Sequence, residues 1–125
     1  MGIRGLGTDI VRIQRIGDLV ERHGARFLDR VFRPDEQAVL ERAGKAAAAA
    51  LAARWAAKEA FVKALGSRAS AVPYRDVEVV RGPAGEPSLR LHGQAARALA
   101  DLGAQEALVS MSHEQDHATA TVILV

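Results

Sequence analysis

The sequence contains no cysteine. That excludes disulfides, thiolate nucleophiles and thiolate zinc sites. Aromatic residues make up only 4% of its 125 positions, as one Trp, one Tyr and three Phe. The core must therefore be built from Leu, Val, Ile and Ala, and a base-stacking platform for single-stranded nucleic acid is not expected. No apolar run is long enough to cross a bilayer and no charged-then-apolar leader opens the chain, so a cytoplasmic protein with no membrane partner is expected. A charge excess is also missing. Seventeen Lys and Arg stand against fifteen Asp and Glu, a net charge of +2, far from the broad basic face of a nucleic-acid binder. The four histidines, His23, His92, His113 and His117, have no zinc-site spacing, and Gly5-Leu6-Gly7 lacks the third glycine of a dinucleotide fingerprint.

What remains reads as one soluble domain over residues 1–125. Ile3 to Asp9 reads as a glycine-weakened strand ending at Asp9, followed by a helix from about Val11 to His23 or Gly24 with Ile13, Ile16, Val20 and Phe27 toward the core. Phe27 to Phe32 begins a further helical turn. Pro34-Asp35-Glu36 starts another helix, to about Arg42. The alanine-rich stretch Ala46 to Leu65 predicts a long helix ended by Gly66. Ser67 to Tyr74 is a loop. Asp76 to Arg81 and Ser88 to His92 form a hairpin about the Gly82-to-Pro87 turn. Gln94 to Leu102 is a short helix, and Leu108 to Ser112 with Ala118 to Val125 close the chain as two strands. The order predicts an α+β fold, an antiparallel sheet packed on helices.

Three constellations carry chemistry. On the long helix, Arg54, Lys58, Phe61 and Leu65 share one stripe, and Glu59 and Lys63 lie a turn apart on another. A carboxylate among lysines can hold a hard metal ion and phosphate together. Alternatively, Glu59 and Lys63 form a plain surface pair, contributing about 0.2–0.5 kcal/mol, and Lys58 rests its stem on the core with its ammonium in water. Asp9 either caps the next helix or ligates a metal with Glu59. On the first helix, Arg15, Leu19, Arg22 and Arg26 recur four, three and four apart. This is an arginine stripe with an exposed leucine as anchor, suited to an acidic helix of a partner and otherwise a solvated face. His113 follows Ser110-Met111-Ser112 at a strand end, as a phosphate donor, a base or a turn residue.

Gly5-Leu6-Gly7-Thr8-Asp9-Ile10 with Arg15-Ile16, Arg54-Trp55-Ala56-Ala57-Lys58-Glu59-Ala60 with Lys63-Ala64-Leu65-Gly66, and Ser110-Met111-Ser112-His113 with Ala118-Thr119-Ala120 together resemble the motifs of holo-acyl-carrier-protein synthases, the small bacterial phosphopantetheinyl transferases. The resemblance runs through almost the whole chain in order. It implies the phosphopantetheinyl transferase fold and transfer of 4'-phosphopantetheine from coenzyme A to a serine of apo-acyl carrier protein, releasing adenosine 3',5'-bisphosphate. It implies magnesium on Asp9 and Glu59, with Lys63 completing the catalytic set. It implies coenzyme A contacts from Arg54, Lys58, Lys63, Gly66 and His113, and carrier docking on Arg15, Leu19, Arg22 and Arg26. A homotrimer with sites in the clefts between subunits follows from the same likeness, as does a setting in fatty-acid biosynthesis, the carrier being of fatty-acid or polyketide type. The base that takes the serine proton is left open between a water near the metal, Glu59 and His113.

The sequence departs from the motif pattern at Arg33, where a capping threonine is usual, at Arg68, where a glycine is usual, and at His117, where an aromatic is usual. These put local cofactor contacts in doubt. The rival reading is a non-catalytic module that grips an acidic protein, which leaves Asp9 and Glu59 without a task.

Overall fold

The computed structural model describes residues 2–41, 44–66 and 72–125. Strand β1 (Gly5–Arg12) leads into helix α1 (Ile13–His23) and helix α2 (Ala25–Val31). Helix α3 (Pro34–Gln37) passes into a 3-10 turn (Ala38–Glu41), and the long helix α4 (Gly44–Leu65) follows. Strands β2 (Val77–Arg81) and β3 (Pro87–Leu91), helix α5 (Gly93–Asp101), and strands β4 (Ala107–His113) and β5 (His117–Leu124) complete the chain. The predicted elements are all there, in an α+β arrangement. The expected helix end at Arg42, the loop residues 67–71 and the Arg68 departure lie outside the described residues.

The strands form two antiparallel sheets rather than one. The three-stranded sheet has the order β1-β5-β4, and β2 pairs only with β3. The first strand thus pairs with the last, with Gly5 opposite Leu124 and Arg12 opposite His117. Local sequence does not carry that pairing, because it joins segments more than a hundred residues apart. It also extends β1 three residues beyond the predicted end. Asp9 therefore sits inside the strand, opposite Ala120. The N-cap position of α1 is Arg12, with no side-chain cap, so the capping role considered for Asp9 is excluded.

Helix α4 is the centre of the molecule and is buried nearly all round, from Leu51 to Ala64. Its alanines let β1 come very close. A Cβ on Gly7 would lie 2.0 Å from the Ala60 carbonyl oxygen, and one on Gly5 2.3 Å from that of Ala64. No side chain but hydrogen fits at either place. The contact seats one face of β1, Gly5, Gly7, Asp9 and Val11, against α4. The opposite face carries Leu6, Thr8 and Ile10 outward.

Candidate functional site

Because β1 lies on α4, Asp9 meets the last turns of that helix. The Lys63 ammonium donates to Asp9 Oδ1 at 3.0 Å and to the Thr8 carbonyl at 3.1 Å. The sequence offered Lys63 a partner four residues away in Glu59. The fold instead gives it Asp9, 54 residues distant. The Asp9 side chain is 13% exposed and that of Lys63 53%, so the pair sits at a rim, with the carboxylate inside and the ammonium facing out.

Glu59 is half-buried one turn before Lys63. Burial first, then interaction with the Glu59 carboxylate and the charge of Asp9, push the Tyr74 phenol well above its ordinary 10.0, with Arg15 opposing. A phenol so placed stays protonated at neutral pH and is a donor. The Tyr74 ring stands edge-on to Trp55, centroids 5.3 Å apart, and Trp55 in turn packs on Phe27 at 6.0 Å. Counting Phe32 at 6.0 Å from Phe27, four of the five aromatic residues form one cluster. Sequence reading missed Tyr74. Its only signals were that it is the sole tyrosine and follows Pro73 just before a strand.

Lys58 requires a correction. It is fully buried, and its ammonium donates to Glu36 Oε1 at 3.0 Å and to the carbonyls of Tyr74 and Val77. With three donors on three protein oxygens, it has none for a coenzyme A phosphate. Its ammonium is not in water either, so the snorkelling alternative also fails. Desolvation pulls its pKa below the ordinary 10.5, more than the neighbouring Glu36 and Glu78 raise it. Glu36, 1% exposed, also accepts from the backbone N–H groups of Arg33 and Val79. The helix cap thought lost at Arg33 is therefore supplied from the third helical residue instead. Arg54 is likewise buried at 5% exposure, donating to the Ala50 carbonyl at 3.1 Å. It lines a cleft of about 310 Å³ with Glu78, Arg81 and Arg90, away from Asp9.

The arginine stripe is real but shorter than its spacing suggests. Gly24, at φ +52°, ends α1, so Arg26 lies on α2 and not in one helical row with Arg15 and Arg22. Leu19 is half-buried against the core rather than standing out as an anchor. Arg15, Arg22 and Arg26 are exposed, and among the described residues none forms an ion pair. Arg15, Leu19 and Arg22 border a groove of about 450 Å³. The Arg15 guanidinium also lies 5.9 Å from the Trp55 ring centre, which joins the stripe to the carboxylate site.

His113 ends β4 opposite Ala118, exposed. In this register it is two strands across and two residues along from Asp9, about 12 Å between Cα atoms. Gly66 closes α4 with φ +63°. Within one chain, neither joins the Asp9 cluster through a described contact. No group of three or more His, Asp or Glu side chains suited to a metal occurs among the described residues. A hard divalent cation needs only one or two protein carboxylates, however, and Asp9 lies on the strand packed against the helix that carries Glu59.

Both the sequence and the fold match known proteins. Residues 5–122 match the family model of the 4'-phosphopantetheinyl transferase superfamily. The chain is 51% identical to a holo-[acyl-carrier-protein] synthase of Halorhodospira halophila, over 98% of each sequence. It superposes on the crystal structure of the holo-[acyl-carrier-protein] synthase of Neisseria meningitidis with a TM-score of 0.84 at 33% identity, covering 99% of each chain. It is also similar to the Helicobacter pylori enzyme solved in complex with coenzyme A, with a TM-score of 0.79 at 27% identity, covering 96% of this chain and 99% of that one.

Proposed function

Because the chain belongs to the 4'-phosphopantetheinyl transferase superfamily, we propose that it moves phosphopantetheine from coenzyme A to a serine of an apo-acyl carrier protein, releasing adenosine 3',5'-bisphosphate. Residues 1–125 are read as one transferase domain. Its setting would be fatty-acid biosynthesis in the cytoplasm. Among the described residues no helix is long and apolar enough to cross a membrane.

The observation that supports this reading is the Lys63–Asp9 pair at a rim, with Glu59 one turn before Lys63 on the same helix. Two carboxylates beside one ammonium suit a magnesium ion and a phosphate bound side by side, so the donor set fits the metal that the family implies. Asp9 and Glu59 would hold it, and when bound it would supply Lewis-acid stabilisation of phosphate charge. Lys63 has two of its three donors engaged on Asp9 and Thr8. Its half-exposed ammonium would neutralise charge growing on the leaving phosphate oxygen. The aromatic wall of Trp55 and Tyr74 excludes water from one side of the carboxylates. Lys58 acts from behind, holding the Tyr74 backbone in place.

The exposed Arg15, Arg22 and Arg26 support docking of an acidic carrier, and Arg15, lying over Trp55, sets the docked face beside the site. Incubation with coenzyme A, magnesium and an apo-carrier is expected to add one phosphopantetheinyl group to the carrier, read by mass. Arg15→Glu is expected to raise KM for the carrier and to flatten its dependence on ionic strength. No mass shift with any acidic apo-carrier would leave the module that merely grips a partner.

The outer sheet face supports the homotrimer. Leu6, Ile123 and Leu108 sit in one cross-strand row, with Leu6 64% and Leu108 45% exposed, and Ile10 on the same face is 68% exposed. Such an apolar patch marks an interface. Ile10→Asp is expected to shift the protein in light scattering from three chains to one. A wild-type protein already running as a 13.3 kDa monomer would defeat this assignment.

A further inference from the structure

The Ala118-Thr119-Ala120 motif has no task in the reading above. It lies on β5, where Ala120 is paired with Asp9 across the two strands. Two threonines bracket that pair. Thr119 precedes Ala120, and its hydroxyl crosses to donate to the Asp9 carbonyl at 2.9 Å. Thr8 precedes Asp9, and its hydroxyl crosses the other way to the Ala120 carbonyl at 3.1 Å. The Thr8 carbonyl in turn accepts from Lys63 Nζ at 3.1 Å. The peptide groups on both sides of the Asp9 Cα are thus tied by side chains, one reaching from β5 and one from α4.

We propose that Thr119 is a positioning residue whose hydroxyl fixes the backbone at Asp9 and, through it, the direction of the Asp9 carboxylate. An aspartate carboxylate is only two torsions from the backbone, so its place follows that of the main chain closely. Strand β1 has need of such a tie. It pairs only with β5, and it carries Gly5 and Gly7, which its approach to α4 requires and which have the most conformational freedom to lose. A backbone carbonyl has two lone pairs, so that of Asp9 can accept from Thr119 alongside a bond within the sheet. Thr119 is the cross-strand partner of Ile10 and so belongs to the outer sheet face, away from the Asp9 carboxylate. It acts through the main chain of Asp9. A valine would fill the same shape and suit a strand as well, which makes the hydroxyl separable from the packing.

The proposal rests on Asp9 being a metal ligand, and its test separates the two claims. Mn2+ binding is followed by electron paramagnetic resonance, with no substrate present, for the wild-type protein, Thr119→Val, Thr119→Ser and Asp9→Asn. Each is measured well below its melting midpoint, so that a loss of stability is not read as a loss of binding. The expected result is about fivefold weaker Mn2+ binding in Thr119→Val, less than the about 10–100-fold found where a partner touches the ligand group itself. Thr119→Ser, which keeps the hydroxyl, should bind as the wild type does, and Asp9→Asn should bind most weakly. In transfer assays, Thr119→Val should need a correspondingly higher Mg2+ concentration at an unchanged KM for the carrier. Wild-type affinity for Mn2+ in Thr119→Val would overturn the positioning role while leaving Asp9 as ligand. Equal losses in Thr119→Ser and Thr119→Val, or an altered mass of Thr119→Val in light scattering, would overturn it too, by assigning Thr119 to packing or assembly. Wild-type affinity in Asp9→Asn would remove the metal reading itself, and this proposal with it.

Discussion

Lys58→Met is expected to unfold most of the protein at moderate temperature. The substitution fills similar volume but removes an ammonium that donates to Glu36, Tyr74 and Val77 inside a site with no exposed surface. A carboxylate at 1% exposure is then left charged without its cation, and two carbonyls lose a donor. Breaking a buried pair by removing one partner costs about 3–5 kcal/mol, out of the roughly 5–15 kcal/mol that holds a domain folded. Chemical denaturation measures the loss. A loss below about 1 kcal/mol, the usual value of an exposed pair, would show that the pair is not buried in solution. Adding Glu36→Gln to Lys58→Met should recover part of the loss. It deletes the stranded charge, and the amide oxygen can still accept from the Arg33 or Val79 N–H.

The same lysine has a pH signature. Its folded pKa lies below 10.5 because burial penalises the ammonium. Between that lowered value and 10.5 the unfolded chain binds more protons than the folded one, so the stability contribution from Lys58 rises with pH across that window. Below the window both states are protonated and the contribution is flat. Lys58→Met should lack the rise.

Glu59→Gln is expected to reduce phosphopantetheine transfer by at least about 10²–10³-fold, with carrier binding and folding retained. Glutamine keeps the shape. It removes the negative charge that, in the proposed function, pairs with Asp9 in holding a cation. Glu59 is half-buried at the rim, so stability should change little. Single-turnover transfer with saturating coenzyme A measures the rate, and calorimetry with the apo-carrier measures binding. Near-normal transfer would mean that Asp9 and Lys63 suffice. Loss of carrier binding together with transfer would mean that Glu59 belongs to the docking surface.

The sequence by itself determined a good deal. Helical periodicity, the alanine run and the glycine and proline punctuation located every helix and strand within a few residues, because those signals are local. Three motifs in order identified the family, and with it Asp9, Glu59 and Lys63 as the residues proposed to carry its chemistry. Tertiary structure alone decided which side chains are inside. Spacing along α4 put Arg54 and Lys58 in one stripe but could not tell that the stripe is covered, because a helix buried on all sides has no polar face to mark its orientation. Likewise, spacing offered Lys63 to Glu59. The fold gave it to Asp9 because Gly5 and Gly7 let β1 settle on the α4 backbone. The β1–β5 pairing, the two sheets and the place of Arg26 on α2 share this origin. Each depends on contacts between distant segments or on the conformation of one glycine, which burial and packing settle and the order of residue types does not.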